Sequence, residues 1–126
     1  MQYVRVYAGT DGHSHFDEPP IALEPDDDWL ARAAPATAIS VRDVPVGLNR
    51  DWAVAPAPPQ LVITLAGQYE VETSDGQVRR FGAGSLVLFE DVAGKGHRLR
   101  GVGPLEWVSV AIVIPQCRAA LAGVGP

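Results

Sequence analysis

A single cysteine, Cys117, cannot close an internal disulfide, and nothing beside it in "IPQCRAAL" marks a nucleophile. A reducing, cytoplasmic setting is the expectation. Lysine is just as scarce: Lys95 stands alone. Ten Lys and Arg face fifteen Asp and Glu, for a formal net charge of −5. That balance speaks against nucleic acid as a partner, because phosphate binding needs a basic surface. Long apolar runs are also missing. None approaches the ~20 residues of a membrane helix, and "MQYVRVYAG" lacks the basic start and apolar stretch of a secretory signal. No membrane partner is expected.

What is present reads as one globular domain. Apolar residues make up 47% of the 126, enough for a single core. Eight of the eleven prolines fall between Pro19 and Pro59, so that segment is not helical throughout. One short helix is expected at "PDDDWLARAA", with Asp residues at its N-terminal turn, Pro35 as its stop and Trp29 anchoring it. From residue 60 onward short strands alternate with turns: "QLVITLAG", "QYEVET", a hairpin at "SDGQ", "VRRF", "AGSLVLFE", "GHRLRG" and "LEWVSVAIVI". This spacing predicts an antiparallel sandwich or barrel. In "QLVITLAG" both faces are apolar, so a cover besides the core is needed, either the N-terminal segment or a second subunit. A homodimer is the expectation. Arg79, Arg80, Lys95, Arg98 and Arg100 cluster in sequence, either as a patch that steers an anionic ligand or, more plainly, as one solvated hairpin face.

The stretch "FGAGSLVLFEDVAGKGH" runs from a glycine through an apolar strand and a tight turn to His97. A strand ending in Gly67 precedes it, and "DGHSHF" stands at 11 to 16. Together these resemble the cupin superfamily, small jelly-roll β-barrels. The resemblance implies an all-β, cupin-type barrel with an N-terminal Pro-rich extension. Its layout has strands and the Pro-rich segment at 1–49, barrel motifs at 50–114 and a tail at 115–126. A phosphate loop is excluded, since Gly96 and His97 follow Lys95 in place of the hydroxyl residue and helix such a loop requires. Cupins commonly hold Fe, Mn, Ni or Zn through two histidines and a glutamate of the first motif and one histidine of the second. Here the glutamate place is Gln60, and the histidine places are Ala53 and Ala55, or Val54 and Pro56. Only His97 remains, so the resemblance implies no tightly bound metal. A divalent metal on His13, His15 and His97 is the lesser alternative, suggested by the ligand-like spacing of "HSH".

With His97 pointing inward, alternation places Leu99 and Gly101 on its face and Arg98 and Arg100 outside. Gln60, Val62, Thr64, Tyr69 and Val71 then line neighbouring strands. On the last strand Trp107, Ser109 and Ala111, or else Val108 and Val110, complete the wall. Trp52 and Tyr69 either stack on an aromatic ligand or pack the barrel end. Lys95 is the flexible cation expected at the mouth. Glu90 and Asp91 precede the turn: a carboxylate there would orient the His97 ring, although Glu90 equally suits capping the turn or pairing with Lys95. The expected function is metal-independent acid/base chemistry (isomerase, lyase or cyclase) on a small organic molecule, anionic or aromatic. His97 would be the acid or base, Gln60 the donor to an oxyanion and Glu90 the supporting carboxylate. A non-catalytic ligand-binding barrel is the first alternative. A metal-dependent oxygenase or lyase using His15 or Glu90 is the second.

Overall fold

The structure, a computed structural model, describes residues 2–124. Two sheets face each other. The larger runs in the order β2 (Ser14–Asp17), β1 (Val4–Ala8), β10 (Leu86–Glu90), β7 (Gln60–Ala66), β12 (Trp107–Val113) and β5 (Ala38–Val44). The smaller runs in the order β6 (Asn49–Ala53), β11 (His97–Val102), β8 (Gln68–Thr73) and β9 (Val78–Phe81). Neighbours are antiparallel except β1 and β10, which run parallel. The expected hairpin at Ser74 to Gln77 joins β8 to β9, with the Thr73 amide donating to the Gln77 carbonyl at 2.9 Å.

Period-two alternation sends Val62, Val87, Phe89, Trp107 and Ala111 of the large sheet inward to meet Tyr69, Val71 and Phe81 of the small one. Each buried Val or Phe among them contributes about 1.5–3 kcal/mol by leaving water. The outer face of the large sheet carries a second, smaller cluster. Leu61 and Leu88 are covered there by Tyr3, Ile21 and Cys117, together with Ile114 and Leu121. The cover demanded by the two-faced strand β7 thus comes at one end from both chain termini. At the other end Leu65 stays 57% exposed.

Two local expectations are corrected. Residues 25–34 form no helix: β3 (Leu23–Glu24) and β4 (Asp27–Ala31) pair as a small hairpin. Pro25 and Asp26 make its turn, because proline presets the backbone angle a turn needs and a ten-residue helix lacking an apolar stripe cannot hold itself together. Trp29 anchors nothing there and is 75% exposed. The tail instead holds a helical turn, α1 (Cys117–Leu121), whose Cys117 and Ala120 are buried. Burial raises the Cys117 thiol to about 11, with Glu90 adding to the effect, so this cysteine packs as a small apolar residue. No helix among the described residues is long and apolar enough to cross a membrane.

The four arginines of the basic run are neutralised on the outer surface. Arg80 and Arg100 both bind Glu70, at 2.9 and 2.6 Å, and hold its carboxyl below the usual range. Arg98 approaches Glu72 at 3.5 Å and Arg79 reaches Glu18 at 3.0 Å. This is a solvated, ion-paired face.

Candidate active site

The turn "AGKGH" delivers His97 to the inside of the barrel. Gly94 and Gly96 both adopt positive φ, at 75° and 72°. Gly96 also lies so close to β6 that a Cβ would sit 2.2 Å from the Ala53 carbonyl, so only glycine fits. The Gly96 carbonyl accepts a 2.7 Å bond from the buried Ser14 hydroxyl, and the Lys95 amide donates to the Gly12 carbonyl at 3.1 Å. The segment "DGHSHF" therefore braces the turn from behind through its backbone and its serine.

His97 is 8% exposed, and its Nδ1 lies 2.5 Å from Asp91 Oδ2. A carboxylate only accepts, so Nδ1 is the donor of this bond and Nε2 is the ring nitrogen left to exchange a proton. No protein group among the described residues occupies Nε2, which borders the cavity. Phe89 packs against the ring with centroids 4.9 Å apart. Asp91 is fully buried. Its second oxygen, Oδ1, has no hydrogen-bond partner, so among the described residues the carboxylate's one hydrogen-bond partner is His97. Leaving a buried oxygen unpaired costs about 1–3 kcal/mol.

The cavity beyond His97 has a volume of about 460 Å³, within the range of small-molecule sites. Val44, Leu48, Val62, Phe89, Leu99 and Trp107 provide its apolar wall. Tyr69 stacks on Trp107 at 5.0 Å to form an aromatic floor. The Tyr69 hydroxyl, next to Thr64, lacks a hydrogen bond of normal geometry, and burial pushes its ionisation far above the ordinary phenol range. It therefore acts as a neutral surface. Gln60 and Ser109 are the polar groups of the wall. Arg42, Arg50 and Asp51 stand at the rim. Arg42 Nη2 donates to Gln60 Oε1 at 2.9 Å, which leaves the Gln60 amide NH₂ free to donate.

Of the residues singled out in the sequence, His97, Gln60, Val62, Tyr69, Leu99, Trp107 and Ser109 come together around this cavity. Thr64 lies buried below it, its hydroxyl accepting from Ser85 at 3.1 Å. Trp52 faces outward, 41% exposed, with Arg98 stacked over its ring. Lys95 projects into solvent away from the cavity. Glu90 points to the opposite side of the sheet, where Arg5 binds it at 2.6 Å. The carboxylate beside His97 is Asp91, and alternation along β10 held the signal: Phe89 faces in, Glu90 out, and the next residue in again. Arg42, Arg50 and Asp51 were not anticipated. "SVRDV" alternates cleanly, but it lies in a stretch dominated by prolines.

The metal alternative fares badly on donor chemistry. His13 is bound to Ser74 Oγ at 3.2 Å. Both nitrogens of His15 are taken by carboxylates, Asp11 at 2.9 Å and Asp75 at 3.0 Å. Neither histidine lines the cavity with His97. Among the described residues no group of three or more His, Cys, Asp or Glu is placed to hold a cation. One imidazole and an amide already bound to Arg42 do not fit a divalent site.

His15 makes a pH-dependent contribution to stability. The hydrogen bond that His15 donates to Asp11 raises the His15 pKa, and the Asp11 and Asp75 charges add to this. A raised folded value means the stabilisation is complete below the unfolded imidazole pKa and is lost as pH climbs through the folded one. The difference in melting temperature between the parent and His15→Gln should therefore be largest near about pH 6 and shrink towards about pH 9. A constant difference would assign the effect to packing on Tyr7, whose ring stacks 5.5 Å from the imidazole.

No protein-family profile matches the sequence, and no curated protein matches it significantly. Solved structures do. An uncharacterised conserved protein with a double-stranded β-helix domain from Klebsiella pneumoniae aligns with a TM-score of 0.50 at 17% identity, covering 74% of this chain and 83% of that one. The cupin domain of Cnp3 from Schizosaccharomyces pombe aligns with a TM-score of 0.52 at 13% identity, covering 99% of this chain and 96% of that one. The likeness to these neighbours lies in the arrangement of the strands: the chain has the cupin, double-stranded β-helix fold.

Proposed function

We propose that the protein is a metal-independent acid/base enzyme acting on a small organic molecule inside the barrel. The observation that carries this reading is the buried Asp91–His97 pair at 2.5 Å, with Nε2 left facing an apolar cavity. His97 Nε2 takes a proton from a carbon next to a carbonyl, and the negative charge moves onto the carbonyl oxygen. The Gln60 NH₂ donates to that oxygen. The imidazolium, held by Asp91, then returns the proton to a different atom of the same molecule, so nothing is gained or lost. Isomerisation is the simplest outcome. Elimination and cyclisation use the same groups. The free, buried Cys117 supports a reducing, cytoplasmic setting.

The test is deuterium wash-in from D₂O, followed by NMR, on a panel of small oxo, hydroxy and unsaturated acids. At least one compound should exchange in a protein-dependent way, and dialysis against EDTA should leave the rate unchanged. Exchange by no panel member, or exchange that disappears with EDTA, would overturn the reading. Binding without exchange would favour a ligand-binding barrel.

We also propose that two copies associate through the outer face of β5, β12 and β7. Register aligns Ile39 with Ile112, and Val41 with Val110 and Ile63, giving uncharged rows across three strands. Ile39 and Val41 are 68% and 73% exposed at the sheet edge. An apolar face of this kind, bordered at one end by Asp43 and Glu106, can meet its own copy across a two-fold axis that keeps those carboxylates apart. Val41→Glu should keep the fold and convert a dimer to a monomer in sedimentation equilibrium. A parent that sediments as a monomer would remove the proposal.

A further inference from the structure

We infer that the cavity recognises a small organic carboxylate, with its anionic end held between Arg42 and Arg50 and its apolar body directed at His97. This names the ligand class of the site proposed above and rests on that cavity being the functional one.

The argument comes from where the arginines find partners. Seven of the nine pair with a carboxylate within 4.0 Å: Arg5, Arg32, Arg79, Arg80, Arg98, Arg100 and Arg118. Among the described residues the two left without an acid are Arg42 and Arg50, and both line the cavity. In a chain with fifteen acidic residues, this leaves both unneutralised guanidinium groups at one opening. Their placement follows from topology. Arg42 is on β5, the edge of the large sheet, and Arg50 is on β6, the edge of the small one. The turn through Pro45 and Leu48 joins these strands, so the two cations flank the same gap between sheets.

The nearby acids do not neutralise them. Asp51 lines the rim, but its Oδ1 accepts from the Trp52 amide at 2.9 Å and it forms no ion pair with Arg50. Asp91 is engaged with His97. Arg42 spends one N–H on Gln60 and keeps the rest of its fork, a shape that matches a planar carboxylate. A phosphate dianion suits the site poorly. The glycine turn offers it no cradle, since the Lys95 amide is bound to Gly12, and the walls below the rim are mostly apolar and carry no further cation among the described residues. A monoanion with an apolar body satisfies both the rim and the walls.

The probes are benzoate and hexanoate, with benzamide, hexanamide and inorganic phosphate as controls, titrated by calorimetry and by amide chemical shifts. Both carboxylates should shift the cavity residues and bind roughly 10- to 100-fold more tightly than the matching amides. Added salt should weaken the carboxylates and leave the amides unaffected. Arg42→Gln and Arg50→Gln alter exposed side chains and should melt like the parent, and each should remove most of the preference for carboxylate over amide. His97→Gln should keep it, and a parent protein that binds the carboxylates with this preference but exchanges no protons would sink the catalytic reading alone. Equal affinity for acid and amide, tighter binding of phosphate, or an unchanged preference in the Arg42→Gln/Arg50→Gln double variant would overturn the inference.

Discussion

His97→Gln is expected to fold like the parent and to exchange substrate protons ~10²–10⁴ times more slowly, the usual worth of a positioned acid or base. Glutamine can still donate to Asp91, and the lost ring contact with Phe89 should cost about 1 kcal/mol. Asp91→Asn is the more telling partner. It removes no volume, but it takes away the charge that holds Nδ1 protonated and stabilises the imidazolium formed on Nε2. Because the Asp91 carboxylate has His97 as its one hydrogen-bond partner among the described residues, its loss should lower turnover by a similar factor and barely affect ligand binding. The pH–rate profile should keep its His97-dependent limb in Gln60→Ala and lose it in His97→Gln. Parent-like turnover in either His97→Gln or Asp91→Asn would end the case for the pair as the catalytic unit.

Gly96→Ala is expected to cost roughly 2–4 kcal/mol of stability, measured by urea unfolding. Two effects combine there: a φ of 72°, which side chains rarely adopt, and a Cβ that would overlap the Ala53 carbonyl. Gly76→Ala separates them. Gly76 has a φ of 95° with open space around it, so only the backbone term remains, about 1 kcal/mol. If the two substitutions cost the same, the close approach of β6 to the turn is not what holds His97 in place.

Period-two alternation is a local property of the chain, which is why much of the barrel interior could be read from residue order. His97, Leu99 and Gly101 face in while Arg98 and Arg100 face out, and Gln60, Val62 and Tyr69 reach the cavity from their own strands. The cupin-type glycine turn was legible for the same reason: its glycines and its histidine are contiguous. Asp91 lay within reach of this logic, one residue beyond Glu90.

Other parts of the site depended on pairing between distant segments. A β-bulge sets two residues of β6, Asp51 and Trp52, against the single Arg98 of β11, between the pairs Arg50 opposite Leu99 and Ala53 opposite His97. Arg50 and Ala53 therefore both reach the cavity and Trp52 turns away, contrary to what strict alternation allows. Nothing in "NRDWA" announces that bulge, because the partner strand lies more than forty residues later. Which arginines find an acid is likewise a matter of long-range contact: Arg79 meets Glu18 and Arg5 meets Glu90, while Arg42 and Arg50, on facing sheet edges, meet none. Order along the chain therefore set which side of each unbulged strand a residue occupies. Sheet pairing decided which charges were cancelled and which two were left at the cavity mouth, because electrostatic partners are chosen by distance in space.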